Sequence, residues 1–211
     1  NLSCNNHLGV REGQLLPEVR DIMFNNKGWH SEVNYPWVRI KKIWMMYWDQ
    51  RKLILMDKTN TNIMRVSEIK KVFDNIYFLG MVRNPYAQVE GIMRRNNATL
   101  EYAAQFAIKC LRLQKKNKEF EINSLFVTYE ELCDNKEEVI GKIKLFIPEL
   151  GDLDSDLEFS AHNFKTDGKM KVQNLNNEKI KKLSKNQLAL INSYFNKEVE
   201  LLNYFGYSII N

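Results

Sequence analysis

Three short apolar runs, Leu53–Met56, Ile76–Val82 and Leu125–Thr128, are separated by longer segments with helical periodicity. This alternation constrains the fold more than any other feature. Apolar runs of that length, bounded by polar residues, read as buried strands. Strands that alternate with helices imply an α/β fold in three layers, a mostly parallel sheet flanked by helices. At 211 residues the expectation is one domain spanning 1–211.

The helical segments carry their own signals. Pro17 and Pro36 each fit a first helical turn. The second of these helices would place Trp37, Ile40, Trp44, Tyr47 and Trp48 on one broad face, a pattern of core packing. Asn62–Phe73 and Pro85–Arg95 read as the next helices. Leu100 to about Lys116 follows, with Leu100, Ala104, Ala107 and Leu111 inward, and then Lys136–Ile147. The last helix, Ser184–Phe205, opens on a Ser184…Gln187 capping box and closes at Gly206.

Charged residues at 27% and apolar ones at 44% describe a chain that folds, and no apolar stretch approaches the ~18 residues of a membrane span. Cys4, Cys110 and Cys133 are odd in number and far apart, which points to a reducing, cytoplasmic setting. His7, His30 and His162 are scattered without ligand spacing, so no metal is expected. The amino terminus, NLSCNNHLGV, lacks a secretory plan and an initiator Met, and sequence upstream is expected to be missing. The net charge of +5 favours anionic partners, although KIKKLSK (179–185) also reads as a solvated surface. Nucleic acid is not expected, because that reading rests on charge alone.

In an open α/β sheet, ligands bind beyond the carboxyl ends of the strands. The first strand ends in Lys58-Thr59, the second in Arg83-Asn84-Pro85, the third in Tyr129-Glu130-Glu131. Asn84 is a good N-cap and Pro85 a good first helical residue, so a helix N-terminus with free N–H groups follows Arg83 directly. A guanidinium there suits phosphate; an arginine paired with a loop carboxylate is the competing reading. Lys58 adds a second cation, expected at the same sheet edge, and strand alternation directs Asp57 to the other face. Such cations repel unless an anion joins them. Tyr129 offers an aromatic ring for a base, or simple packing.

These residues resemble the sulfotransferase family, which uses phosphoadenosine phosphosulfate (PAPS). The similarity covers most of the chain: LMDKTNTNIMRVSEIKKVFDNIYFLGMVRNPYAQVEGIMRR (55–95), YEELCDNKEEVIGKIKLFI (129–147), HNFKTDGKMKVQNLNNEKIKKLS (162–184) with the later Phe205–Tyr207, and EGQLLPEV (12–19). It implies a P-loop-NTPase-like architecture and sulfuryl transfer from PAPS to a hydroxyl or amine of a small-molecule or glycan acceptor. Arg83 would bind the 3′-phosphate and Tyr129 the adenine edge. Lys58 would stabilise charge on the leaving oxygen. Lys165 and Gly168 would belong to a loop closing over the 3′-phosphate. Glu12 is the candidate base.

The sequence departs from the family in three places. Gly91 stands where a serine is usual, and Asn60 where cytosolic members have a histidine. The amino-terminal 5′-phosphosulfate loop is not found. The chain is therefore expected to be an N-terminally truncated member, or one that lost the loop. With a central strand missing, unpaired edges would favour a homo-oligomer or filling by another segment. A non-catalytic nucleotide- or sulfated-ligand-binding protein that keeps the 3′-phosphate half-site is the alternative.

Overall fold

Proline and asparagine set the helix starts. In the computed structural model, which describes residues 2–4, 12–24, 28–120, 123–154 and 171–210, Pro17 opens α1 (Pro17–Met23) at its first position. Pro36 lies one residue outside α2 (Trp37–Tyr47) as its N-cap. The elements that follow are β2 (Ile54–Met56), α3 (Val66–Ile69), β3 (Phe78–Val82), α4 (Pro85–Asn96), α5 (Leu100–Phe120) and β4 (Ser124–Thr128). Then come α6 (Tyr129–Asp134), α7 (Lys136–Phe146), α8 (Asn176–Ile180), α9 (Lys185–Phe195) and α10 (Val199–Tyr204); β1 (Leu2–Cys4) precedes them all.

The chain is α/β with parallel strands, but among the described residues those strands form two separate sheets. β1 pairs with β2, Leu2 opposite Ile54 and Cys4 opposite Met56, while β3 pairs with β4. The expectation that Lys58 and Arg83 lie at the same sheet edge is corrected by this pairing. Its cause is local: β2 takes Leu2–Cys4 as its partner, and Gly80 leaves room on β3 for the Phe126 ring of β4. A Cβ at Gly80 would lie 2.4 Å from that ring.

Packing divides the chain into two compact units, Asn1–Phe78 with Ile143–Leu153, and Leu79–Lys142 with Asp154–Asn211. In the first, Leu16, Val19, Met23 and Ile40 are fully buried around Trp37, Trp44 and Trp48, the aromatic face expected of α2. Trp37 and Trp48 each meet Trp44 edge-on. The helix expected over Asn62–Phe73 is instead a 3-10 turn, Asn60–Met64, followed by the short α3. Arg65 breaks it: its φ of −117° leaves the helical region, and its buried guanidinium donates to the carbonyls of His30 and Ser31 and to Glu68.

In the second unit α5 is the axis. Ala103, Ala104 and Ala107 are fully buried, so Tyr86 and Val89 of α4 can approach closely. α9 and α10 pack on the same helix. The continuous helix expected over Ser184–Phe205 opens on the anticipated capping box but breaks at Asn196–Glu198. Glu198, which pairs with Arg112 of α5, takes φ −131°, and the break lets Phe195 and Leu202 both turn inward. Gly206, at φ +78°, then reverses the chain and brings Tyr207 N–H onto the Leu202 carbonyl at 3.0 Å. Among the described residues no helix is long and apolar enough to cross a membrane.

Candidate functional site

In the second unit, Arg83 follows β3 directly and precedes a capped helix. Asn84 Oδ1 accepts from the N–H groups of Tyr86 (3.0 Å) and Ala87 (3.4 Å), and Pro85 holds the first helical position. The Arg83 guanidinium lies over the Tyr129 ring, its central carbon 3.9 Å from the ring centroid. Its Nε donates to Asn176 Oδ1 at 2.8 Å. Its Nη2 is buried and has no hydrogen-bond partner among the described residues. A buried, unspent donor on a cation is costly, and any hydrogen-bond acceptor, an anion included, would relieve it.

Glu130 is the hub that fixes this arrangement. Its carboxylate accepts from Asn84 N–H (2.9 Å), from the Asn176 amide and from Tyr207 O–H (3.0 Å). Three elements, the α4 cap, α8 and the carboxyl-terminal turn, are thereby tied to the start of α6. Burial, with the Glu130 charge beside it, pushes the Tyr207 phenol far up, so it stays a donor. The Glu130 acceptor sites serve neutral donors, and among the described residues no ion pair joins it to Arg83.

Tyr129 is held more firmly than a free base-stacking ring would be. Its hydroxyl donates to the Gln173 carbonyl (2.7 Å) and accepts from Leu175 N–H (3.3 Å). Desolvation pushes its pKa up as well. The ring therefore orients Arg83 and fastens segment 173–175. Gly91 lies two turns into α4; a Cβ there would meet Arg95 Nη2 at 3.9 Å, and Arg95 Nε donates to the Gly91 carbonyl at 3.2 Å. Lys179 of α8 stands 3.5 Å from Glu90, which also takes Arg94 at 3.0 Å. Lys165 and Gly168 lie outside the described residues.

The first unit brings together the other two candidates. Lys58 Nζ stands 3.4 Å from Glu12 Oε1, and Glu12 Oε2 accepts from Gln14 Nε2 at 2.8 Å. The chain around Glu12 is laid against 57–61 by Gly13 N–H to Asp57 (2.6 Å), Gln14 N–H to Thr59 Oγ1 (3.2 Å) and Thr61 O–H to Gln14 Oε1 (3.2 Å). Asp57 does not point away, as alternation predicted, because β2 ends at Met56 and alternation ends with it. It accepts instead from Thr59 N–H and Asn62 Nδ2, capping the turn that follows. Lys58 is thus not an unneutralised cation. It is half of an ammonium–carboxylate pair, with Lys58 well exposed and Glu12 mostly buried.

Glu130, Asn176, Lys179 and Tyr207 had no assigned role in the sequence. Asn176 and Lys179 carry the one usable signal, a polar–basic pair at helical i, i+3 spacing within NNEKI. Tyr207 follows the helix-ending Gly206, which marks a turn but not its destination. Comparison of the chain with family models, with curated proteins and with solved structures found no match.

Proposed function

We propose that the chain is a PAPS-dependent sulfotransferase domain whose second unit binds the 3′-phosphoadenosine part of the nucleotide. The observation that carries this reading is Arg83: a guanidinium at a strand end, stacked on Tyr129, next to a capped helix N-terminus, with a buried Nη2 that has no partner among the described residues. The phosphate reading rests on Arg83 itself, because the first N–H groups of α4 are already taken by Asn84 and Nη2 is the donor left without a partner among the described residues. When bound, PAPS supplies an activated sulfuryl group. Arg83 holds the 3′-phosphate, and Tyr129 and Asn176 keep the guanidinium in its plane. In the first unit, Glu12 would serve as the base for an acceptor hydroxyl or amine. The Lys58 ammonium beside it would oppose negative charge on a departing oxygen.

The Lys58–Glu12 contact also favours a second reading, a nucleotide-binding protein without transfer. There the pair would only fasten the 12–14 segment. One series of measurements separates the two. Adenosine 3′,5′-bisphosphate at a hundredfold excess over its dissociation constant should stabilise the chain by about 2.7 kcal/mol, and Arg83→Ala should remove the effect. Equal shifts in both proteins, or none, reject the site. Ligand binding without sulfuryl transfer from PAPS to hydroxyl or amine acceptors selects the second reading.

A further inference from the structure

Basic side chains gather around α4 beyond what Arg83 alone requires. α8 sets Asn176 and Lys179 one turn apart, and Asn176 is the residue that takes Arg83 Nε. Lys179 therefore comes from the same short helix that orients Arg83. Its side chain is only 16% exposed, and it faces Glu90, itself 7% exposed. Glu90 is shared, because Arg94 occupies its other oxygen at 3.0 Å. Lys179 thus feels two further cations, Arg83 and Arg94, besides the buried Glu90 carboxylate that it shares with Arg94.

We infer that Lys179 is a second anion ligand beside Arg83, paired with Glu90 when the site is empty and turned to the 3′-phosphate when a nucleotide binds. The inference rests on the nucleotide reading above. Burial lowers the ammonium's pKa and the two arginines lower it further, while Glu90 opposes them. A dianionic phosphate removes that repulsion, so ligand and lysine stabilise each other. Gly91 offers no side-chain donor, whereas α8, already joined to Arg83 through Asn176, carries an ammonium.

The competing role for Lys179 is structural, a strut from α8 to α4. Calorimetric titration of the full chain with adenosine 3′,5′-bisphosphate and with adenosine 5′-monophosphate distinguishes the two roles. Lys179→Gln is expected to weaken the bisphosphate roughly tenfold, the effect of one charge-assisted contact, and to leave the monophosphate unchanged. Lys179→Arg should retain most of the affinity. Glu90→Gln should tighten bisphosphate binding, because it removes the carboxylate that competes for Lys179. A strut predicts the reverse for Glu90→Gln. Unfolding scans without ligand identify any variant that fails to fold; if Lys179→Gln does, Lys179→Arg and Glu90→Gln decide. Full bisphosphate affinity in Lys179→Gln, equal losses for both nucleotides, or weaker binding by Glu90→Gln overturns the inference. If Arg83→Ala still abolishes binding in those cases, the nucleotide reading stands alone. If the wild-type chain does not bind the bisphosphate, both fall.

Discussion

Asp57 accepts hydrogen bonds from Gly13 N–H, Thr59 N–H, Thr59 O–H and Asn62 Nδ2. It is the residue that lets a segment forty-four positions earlier lie against the end of β2. Asp57→Ala leaves those part-buried donors unmet, and each group so left costs about 1–3 kcal/mol. A matching fall in unfolding free energy by denaturant titration is expected; a change within about 0.5 kcal/mol would mean water replaces the carboxylate. Lys58 has a different expected signature. Its charge is mostly exposed, so Lys58→Ala should barely alter stability. If it acts on a transition state, turnover with PAPS falls far more than nucleotide affinity. Equal falls would make it a ground-state contact.

Among the elements, α6 shows how a short helix becomes a fixed platform. Thr128 Oγ1 accepts from Glu131 N–H at 3.0 Å, and the Glu131 carboxylate accepts from Thr128 N–H at 2.8 Å. This reciprocal box aims Tyr129 and Glu130, the first two residues of α6, at Arg83 and the α4 cap. The hydrogen bond from Thr128 N–H is the main reason the Glu131 pKa lies below its ordinary value. A carboxylate depressed on folding contributes stability that is present above about pH 4.5 and lost as pH falls through the folded value. The stability gap between wild type and Glu131→Gln, measured by thermal unfolding, should therefore be widest near neutrality and close under acid. A gap that persists at low pH would show that packing, not charge, separates the two.

The same scale explains which parts of the fold were legible in the sequence. The strands, the Asn84–Pro85 helix start, the buried face of α5 and the Ser184 cap depend on neighbouring residues, and they stand where periodicity and capping chemistry put them. The breaks at Arg65 and Glu198 depend on distant partners, the His30–Ser31 carbonyls and Arg112, which no local pattern reveals. Strand pairing failed to be legible for the same reason. A three-residue strand such as Leu2–Cys4 leaves almost no trace in the sequence. At the candidate site, Arg83 was visible as a strand-ending cation. Glu130, which holds its surroundings, was masked by the ordinary look of an acidic first turn.

Across the whole molecule, each unit has its own hydrophobic core, one built on the tryptophans of α2 and one on α5. Separate cores permit separate unfolding, and a single two-state transition is then not expected. The tryptophans provide a selective probe: Trp29, Trp37, Trp44 and Trp48 all belong to the first unit, whereas α4, α5 and α9 belong to the second. Tryptophan fluorescence should report the first unit, and helical circular dichroism chiefly the second. A nucleotide held by Arg83, Asn176 and Lys179 binds only the folded second unit, so mass action raises that unit's stability alone. Adenosine 3′,5′-bisphosphate is therefore expected to move the dichroism midpoint upward and leave the fluorescence midpoint in place, with Arg83→Ala abolishing the difference. Midpoints that coincide and shift together would establish one cooperative unit, and a shift confined to fluorescence would place the anion site beside Lys58 instead.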